Sequence, residues 1–254
     1  WPVLTTSLCA LGLLALPGPR RALLEAPPRR RRCAARLLAA VACLAALSPL
    51  RRAALLGLRR LRRARCGAGL EALKRRLREE GGFPIPPNGE DVDYVEGASP
   101  DEEFAYLGEL AREELSRMLP APGRSTVCQT GFNYGTSAYA FLCFTSATVL
   151  SWDLGSHRYV QMAEQHLQAE FPGRHNLSLG DSRQTLHEAV AAGVRCDFVF
   201  IDGGHYEDIV RSDIQHFASM AAPGALVVVD DCTHSGDLMA GGAFSAAVRA
   251  GTLV

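Results

Sequence analysis

Short apolar runs rich in β-branched residues alternate with amphipathic helical segments from residue 125 to residue 230. The runs have the length of buried strands, and the segments between them place apolar residues at helical spacing. Continuous apolar strands separated by helices are typical of a parallel sheet that is covered by helices on both faces. The pattern therefore predicts a doubly wound α/β domain.

Five strands and the residues that follow them can be placed along this region. The strands are predicted at 125–130, 147–153, 176–181, 197–202 and 225–230. A helix is predicted at 136–144, and the Pro223-Gly224 turn is predicted to introduce the fifth strand. Ligands bind such sheets at the carboxyl ends of the strands. The acids predicted to converge on that rim are Asp153, Asp181, Asp202, Asp230 and Asp231.

A capped helix is predicted before the first strand. Ser99 can cap it, Pro100 suits its first position, Glu102 completes a capping box and Pro120 ends it. Its predicted apolar face consists of Phe104, Leu107, Ala111, Leu115 and Met118. We therefore expect the folded domain to span residues 99–254, preceded by a linker at 81–98 that is rich in Pro, Gly and acid.

The first 80 residues have a different composition from the rest of the chain. They contain 18 Lys or Arg and 4 Asp or Glu, whereas residues 81–254 contain 9 and 23. Uncharged runs at 1–19 and 37–50 are at or below the roughly 20 apolar residues that a spanning helix needs. A signal peptide, an organellar transit sequence and a weak membrane anchor all fit this composition, which leaves the compartment open. Because residue 1 is Trp, we expect the natural start to lie upstream.

Residues 50–80 are predicted to be helical, with leucines at helical spacing among arginines. A basic amphipathic helix can lie on an anionic membrane surface, but a solvated targeting arm has the same pattern. Nucleic-acid binding is disfavoured because no aromatic residue between Pro2 and Gly82 can stack on bases.

The eight cysteines show no CxxC pair and no zinc-ligand spacing. Reduced thiols are therefore expected. Cys128 and Cys196 adjoin predicted strands, where a small buried apolar residue is the expected role.

A phosphate-binding loop is not indicated. No GxGxxG and no GxxxxGK[ST] occurs, and no lysine follows the turn from Gly131 to Gly135. A rim of five aspartates would repel phosphate and favour a cation, either a divalent metal or a sulfonium.

Four motifs follow one another in a suggestive order. They are "VCQTGFNYGTSA" with Asp153 some twenty residues on, "LGDS", "FIDGGHYED" and "PGALVVVDDC". Together they resemble the class I S-adenosylmethionine-dependent methyltransferases, and more narrowly the metal-dependent catechol-type and macrocin-type O-methyltransferases. The resemblance covers about residues 100–250 and implies a Rossmann-like methyltransferase fold.

The resemblance also implies roles for individual positions. The glycines would let the backbone approach the methionine part of the cofactor, Asp153 would bind the ribose hydroxyls, and Asp181 and Ser182 would lie beside the adenine. The implied cofactor-binding set is Gln129, Gly131, Phe132, Asn133, Gly135, Asp153, Asp181, Ser182 and Asp202. The positions that match Mg²⁺ ligands are Asp202, Asp230 and Asp231. His205 matches a proposed general base, so the implied catalytic pair is His205 and Asp202.

The implied chemistry is methyl transfer from a sulfonium to a hydroxyl oxygen. A cation held by carboxylates acidifies and orients a hydroxyl, and an imidazole can take its proton. We therefore expect an S-adenosylmethionine-dependent, Mg²⁺-assisted O-methyltransferase acting on a small hydroxylated molecule, such as a sugar or a catechol. Its acceptor pocket is predicted to be bordered by Tyr134, Tyr206 and His234. The alternatives are that Asp230 and Asp231 only cap a turn and that His205 is an ordinary loop histidine.

Two departures from the family pattern leave other functions open. Gln129 stands where the family usually has an acid, and only 24 residues follow Asp230, too few for the usual final antiparallel strands. We expect either a fragment or a partner that covers the exposed edge of the sheet. A non-catalytic cofactor-binding or interaction module is the main alternative, and a nicotinamide oxidoreductase is disfavoured by the missing GxGxxG.

Overall fold

The computed structural model contains the predicted alternation of strands and helices. It describes residues 28–81, 101–118, 125–232 and 240–253. In chain order the elements are α1 (Pro28–Glu79), α2 (Asp101–Arg117), β1 (Thr126–Thr130), α3 (Thr136–Phe144), β2 (Thr148–Asp153), α4 (Arg158–Glu170), β3 (His175–Leu179), α5 (Ser182–Ala191), β4 (Cys196–Ile201), α6 (Glu207–Met220), β5 (Ala221–Val229) and α7 (Ala240–Arg249). The predicted linker, Ser99, Pro100, Pro120 and His234 lie outside the described residues, as does the side chain of Glu102.

The sheet consists of five parallel strands in the order β3-β2-β1-β4-β5. The chain runs outward from β1 to β3 and then crosses back to β4 beside β1, which places the topological switch between β1 and β4. The doubly wound α/β fold predicted from the sequence is therefore confirmed. Ligand sites in such sheets lie outside the carboxyl ends of the strands at this switch.

Successive strand residues point to opposite faces, and each face has its own apolar core. On one face, Val127 and Phe198 pack with α2, α3, α4 and the last part of α1. On the other face, Cys128 and Val199 pack with α5, α6 and α7. Because both faces are covered, β4 and the second half of β5 carry apolar residues at nearly every position.

The last part of α1 belongs to the compact domain. The chain divides after Arg60, and the described residues from Leu61 onward form one compact unit. Within this unit Leu70, Leu73 and Leu77 are buried in the core. The domain predicted from the sequence begins at residue 99, whereas in the structure the last part of α1 also packs in the core. The sequence shows the leucine spacing of this helix but not the surface against which the leucines pack.

Two disulfide bonds correct the expectation of reduced thiols. Cys66 of α1 is bonded to Cys143 of α3, and Cys128 of β1 is bonded to Cys196 of β4, with Cα–Cα distances of 5.8 and 5.7 Å. The partners lie 77 and 68 residues apart in the sequence, so spacing motifs could not reveal them. Of the described cysteines, Cys232 has a free thiol.

Strand β5 begins earlier than predicted. It includes Pro223 and Gly224, the predicted turn, and its pairing with β4 is irregular between Cys196 and Phe198. A proline is tolerated at an edge or an irregularity, where its missing N–H is not needed. Among the described strands, β5 forms one edge of the sheet. None of the described helices is both long enough and apolar enough to cross a membrane.

Candidate active site

A cleft of about 460 Å³ lies at the predicted position, over the carboxyl ends of the central strands. Eight of the predicted site residues line it: Gly131, Phe132, Asn133, Asp153, Asp181, Ser182, Asp202 and His205. Other residues that were not predicted from the sequence also line the cleft, among them Thr130, Leu154, His157, Arg183 and Ile209. The cleft therefore gathers residues from the turns after β1, β2, β3 and β4.

Asp153 fixes the glycine turn that follows β1. Its Oδ2 accepts hydrogen bonds from the backbone N–H groups of Phe132 and Asn133, each at 2.9 Å. Its Oδ1 accepts one from the N–H of Gly155 at 2.7 Å. A carboxylate has about four acceptor positions, so capacity remains for a ligand hydroxyl. The glycine-to-acid spacing seen in the sequence thus corresponds to a direct contact.

Gly131 marks the closest approach of the turns after β1 and β4. Its φ of +79° lies in the left-handed region, and its N–H donates to the carbonyl of Trp152 at 2.9 Å. A Cβ at this position would lie 1.8 Å from the carbonyl oxygen of Asp202. Only glycine fits both the conformation and the space.

Gln129, Gly135 and Tyr134 stand behind the cleft instead of lining it. Gln129 is fully buried, its Nε2 is 3.4 Å from the carbonyl oxygen of Gly131, and its Oε1 has no hydrogen-bond partner. Tyr134 is 2% exposed and packs in the core, and it does not line the cleft. Tyr206 is 74% exposed and does not line the cleft.

Asp181 and Ser182 lie where β3 passes into α5. Asp181 is the N-cap of this helix and accepts a hydrogen bond from the backbone N–H of Arg183 at 2.9 Å. The Arg183 guanidinium also binds this carboxylate and holds the pKa of Asp181 below its ordinary value. Arg183 therefore brings a positive charge into a rim that the sequence predicted to be purely acidic.

The acidic residues after β4 and β5 are placed by extensions of the strand pairing. The N–H of Asp202 donates to the carbonyl of Thr130 at 3.2 Å, and the N–H of Asp230 donates to that of Ile201 at 2.9 Å. Asp231 has a φ of +55°, a left-handed conformation that Asp tolerates better than most residues. Its N–H donates to Oδ1 of Asp230 at 2.8 Å.

These carboxylates affect one another electrostatically. The pKa of Asp202 is raised to about 6, mainly by burial and to a smaller extent by the charges of Asp230 and Asp231, while His205 lowers it. A positive neighbour would stabilise the charged form of a carboxyl group in such surroundings. The rim therefore favours a cation.

His205 lies between two of the acids. Its Nδ1 is 3.3 Å from Oδ2 of Asp231, and its Nε2 is 3.9 Å from Oδ1 of Asp202. Its interaction with Asp202, and to a smaller extent with Asp231, raises the pKa of His205. A general base must be neutral before it accepts a proton, so these two contacts oppose that role unless the carboxylates are neutralised.

Glu103 is an acid of this rim that the sequence analysis missed. It lies on α2, directly after the predicted capping acid Glu102, and its side chain interacts with Asp230. Burial, followed by the charges of Asp230 and Asp202, raises the pKa of Glu103 to about 7. No sequence signal marked it, because α2 precedes the strands whose ends form the rim.

The predicted metal ligands are not arranged as a ready-made metal site. Among the described residues, no group of three or more His, Cys, Asp or Glu side chains stands in a metal-binding arrangement. The donor atoms are nevertheless carboxylate oxygens, which suit Mg²⁺. Side-chain rearrangement would be needed to close a coordination shell.

Asp213 is a buried acid behind the cleft floor. It is fully buried on α6, and neither of its carboxylate oxygens has a hydrogen-bond partner of good geometry. Burial raises the pKa of Asp213 to about 6, although the nearby hydroxyls of Ser182 and Thr130 lower it. A Cβ on Gly203, which lines the cleft, would lie 3.3 Å from its Oδ2.

We expect Asp213→Asn to stabilise the protein above pH 6. Because the folded pKa exceeds the ordinary 3.8, the folded chain binds this proton more tightly than the unfolded chain. Stability therefore falls as pH rises from about 4 to about 6 and stays lower above that range. The variant should gain about 2 kcal/mol at pH 8 and nothing below pH 4, as measured by urea unfolding. Asp208→Asn, an exposed change on the same helix, should gain nothing, and an equal gain would contradict the account.

A family model described as a methyltransferase domain matches residues 128–232. Residues 128–232 are therefore similar to a methyltransferase domain. The match begins in β1 and ends just after Asp231, so this domain includes the cleft and most of its acidic rim. The match agrees with the resemblance of the four sequence motifs to methyltransferases. No curated protein sequence matches the chain.

Solved structures share the fold of the methyltransferase domain. An O-methyltransferase from Bacillus cereus in complex with S-adenosylhomocysteine is 16% identical with a TM-score of 0.50, over 66% of this chain and 69% of that one. A Corynebacterium glutamicum protein is 15% identical with a TM-score of 0.50, over 73% and 81%. A Podospora anserina methyltransferase bound to S-adenosylhomocysteine is 15% identical with a TM-score of 0.45, and this chain spans only 56% of its length.

Proposed function

We propose that the protein is an S-adenosylmethionine-dependent O-methyltransferase, assisted by a divalent cation, that acts on a small hydroxylated molecule. The observation that carries the proposal is the contact of Asp153 with the glycine turn at the mouth of the cleft. The turn and the acid come from adjacent strands, β1 and β2, and no phosphate-binding sequence is present. This combination suits an adenosyl cofactor without a phosphate.

The chain's own residues account for cofactor binding as follows. The unused acceptor capacity of Asp153 would receive the ribose hydroxyls. Ser182 and the segment beginning at Gly203 would flank the adenine, since both line the same cleft. The carboxylate of Asp202 would lie nearest the positive sulfonium, because it comes from the turn that touches Gly131. A negative group beside a sulfonium stabilises binding of the charged cofactor.

Asp202, Asp230 and Asp231 would hold the cation. Glu103 is close enough to these three carboxylates that, besides burial, their charges raise its pKa. The cation, when bound, acidifies and orients the acceptor hydroxyl. Neutralising Asp202 and Asp231 would also lower the pKa of His205, because those carboxylates raise it. His205 would then accept the acceptor's proton as methyl transfer proceeds.

The acceptor is proposed to be small, such as a sugar or a catechol, because the cleft of about 460 Å³ must also hold the cofactor.

The amino-terminal basic segment is proposed to contact an anionic membrane surface. It carries four exposed leucines, Leu55, Leu56, Leu58 and Leu61, among arginines. Binding to anionic and not to neutral vesicles, lost when these leucines are changed to serine, would support that contact.

Turnover should depend on a divalent cation, whereas cofactor binding should not. We expect EDTA to lower methyl transfer to a panel of sugars and catechols by about 100-fold or more, with recovery on adding Mg²⁺. Asp230→Asn should have a similar effect, and the exposed Asp208→Asn should have none. Activity that survives EDTA would contradict the metal proposal. Binding of S-adenosylhomocysteine without turnover on any acceptor would favour the non-catalytic alternative.

A further inference from the structure

A buried histidine lies directly behind the glycine turn, outside the acidic rim. His175, the first residue of β3, is 4% exposed. Its ring stacks on that of Phe132, with 5.1 Å between the ring centroids and an angle of 24° between the planes. Phe132 is 1% exposed yet contributes to the cleft wall. The side chain of Phe132 therefore lies between His175 and the cleft.

Both ring nitrogens of His175 are held by polar partners. Nδ1 pairs with the carboxylate of Glu164 on α4, and Nε2 lies 2.8 Å from Oγ of Ser151 on β2. In the tautomer that donates from Nδ1 to Glu164, Nε2 is an acceptor to which the Ser151 hydroxyl can donate. The plane of the ring is thus fixed from two elements at once.

Phe132 transmits this orientation to the turn. Its N–H donates to Asp153 at 2.9 Å, and its carbonyl accepts from the N–H of Gly135 at 2.7 Å. A Cβ on Gly135 would lie 3.1 Å from the Phe132 ring, so the ring fills the space beneath the turn. A rotation of the Phe132 ring would therefore disturb the backbone that lines the cleft.

We propose that His175 is a positioning residue for cofactor binding, which it supports by holding Phe132 and hence the turn from Gly131 to Gly135. The inference rests on the proposed function, since the ligand of that turn is S-adenosylmethionine. His175 does not reach the cleft itself. Its effect is to keep the turn in its binding conformation before the cofactor arrives, which lowers the cost of ordering on binding.

The test compares two replacements of His175 by calorimetric titration of S-adenosylhomocysteine into the full chain. His175→Gln keeps a polar side chain but removes the ring that stacks on Phe132, and we expect about tenfold weaker binding. His175→Phe keeps a ring that can stack on Phe132 but loses both hydrogen bonds that orient it, and we expect an intermediate loss of about threefold to fivefold in affinity. In turnover assays His175→Gln should raise the KM for S-adenosylmethionine and leave the KM for the acceptor unchanged.

Matched controls separate positioning from general loss of stability. His166→Gln changes another histidine of the same region, one that pairs with Glu80 and lies away from the turn. Met220→Ala removes a fully buried side chain from the opposite core. Both should bind like the parent, although Met220→Ala should melt at a lower temperature. Equal weakening in Met220→Ala and His175→Gln, or parental binding by His175→Gln, would overturn the inference.

Ser151→Ala provides a second variant if His175→Gln does not fold. It keeps the ring and the Glu164 contact and removes one hydrogen bond, so we expect about threefold weaker binding. Unchanged binding in a folded Ser151→Ala protein would then overturn the inference. A folded parent chain that does not bind S-adenosylhomocysteine would refute the proposed function instead, which keeps the two failures distinct.

Discussion

Gly131→Ala should abolish measurable binding of S-adenosylhomocysteine. The added Cβ would lie 1.8 Å from the carbonyl oxygen of Asp202, so the turns after β1 and β4 must separate. The turn after β1 also depends on the bonds that Asp153 makes to Phe132 and Asn133. We expect a loss in affinity of about 100-fold or more, together with about 1–3 kcal/mol of destabilisation from the left-handed backbone. Calorimetric titration and urea unfolding measure the two effects.

Gly173→Ala is the matched control for this change. Gly173 has a φ of +66°, so alanine there has a similar conformational cost, but nothing lies within 4 Å of the added Cβ. The residue lies in the turn between α4 and β3, at the opposite end of the sheet from the cleft. Gly173→Ala should therefore be less stable than the parent and bind normally. If the two variants bound equally well, the close approach of the turns would have no part in binding.

Loss of either disulfide should destabilise the domain more than a typical point substitution. Each bond closes a long loop, of 77 residues for Cys66–Cys143 and 68 for Cys128–Cys196. Constraining loops of that length in the unfolded chain contributes about 4 kcal/mol each. We therefore expect the pairs Cys66→Ala with Cys143→Ala, and Cys128→Ala with Cys196→Ala, to lower the free energy of unfolding by about 2–5 kcal/mol.

A peptide map under non-reducing conditions tests the pairing itself. We expect both linked peptides, and a lower melting temperature when dithiothreitol is added. Cys232→Ala changes a free, half-buried thiol and should alter stability little. Four unmodified thiols at these positions, with no effect of dithiothreitol, would refute the pairing. Because disulfides persist in oxidising surroundings, we also expect a higher folded yield from oxidative than from reducing expression.

The fold could be predicted from the sequence because its signals are local. Helix α3 was predicted at its observed bounds, and the first four strands were predicted to within one or two residues. The start of β5 was missed because Pro223-Gly224 has the chemistry of a turn, and only the irregular pairing with β4 accommodates it. The disulfides were missed because their partners meet through the crossover connections, which no spacing rule describes.

The site was predictable to the extent that its residues follow the strands. Asp153 and Gly131 were placed together because a glycine turn and an acid at the next strand end meet in any such sheet. Glu103 was missed because it comes from a helix that packs onto the rim from outside the alternating pattern. Tyr134 points into the core instead of lining the cleft, and the sequence does not show the direction of a turn residue's side chain.

Titration of S-adenosylhomocysteine into the folded chain, with Mg²⁺ and then with EDTA, tests the central claim most directly. The account predicts saturable binding of one ligand per chain in both buffers, since the turn and Asp153 bind the cofactor without the cation. Asp153→Ala should remove that binding. A folded sample that gives no binding heat and no ligand-induced rise in melting temperature in either buffer would contradict the account.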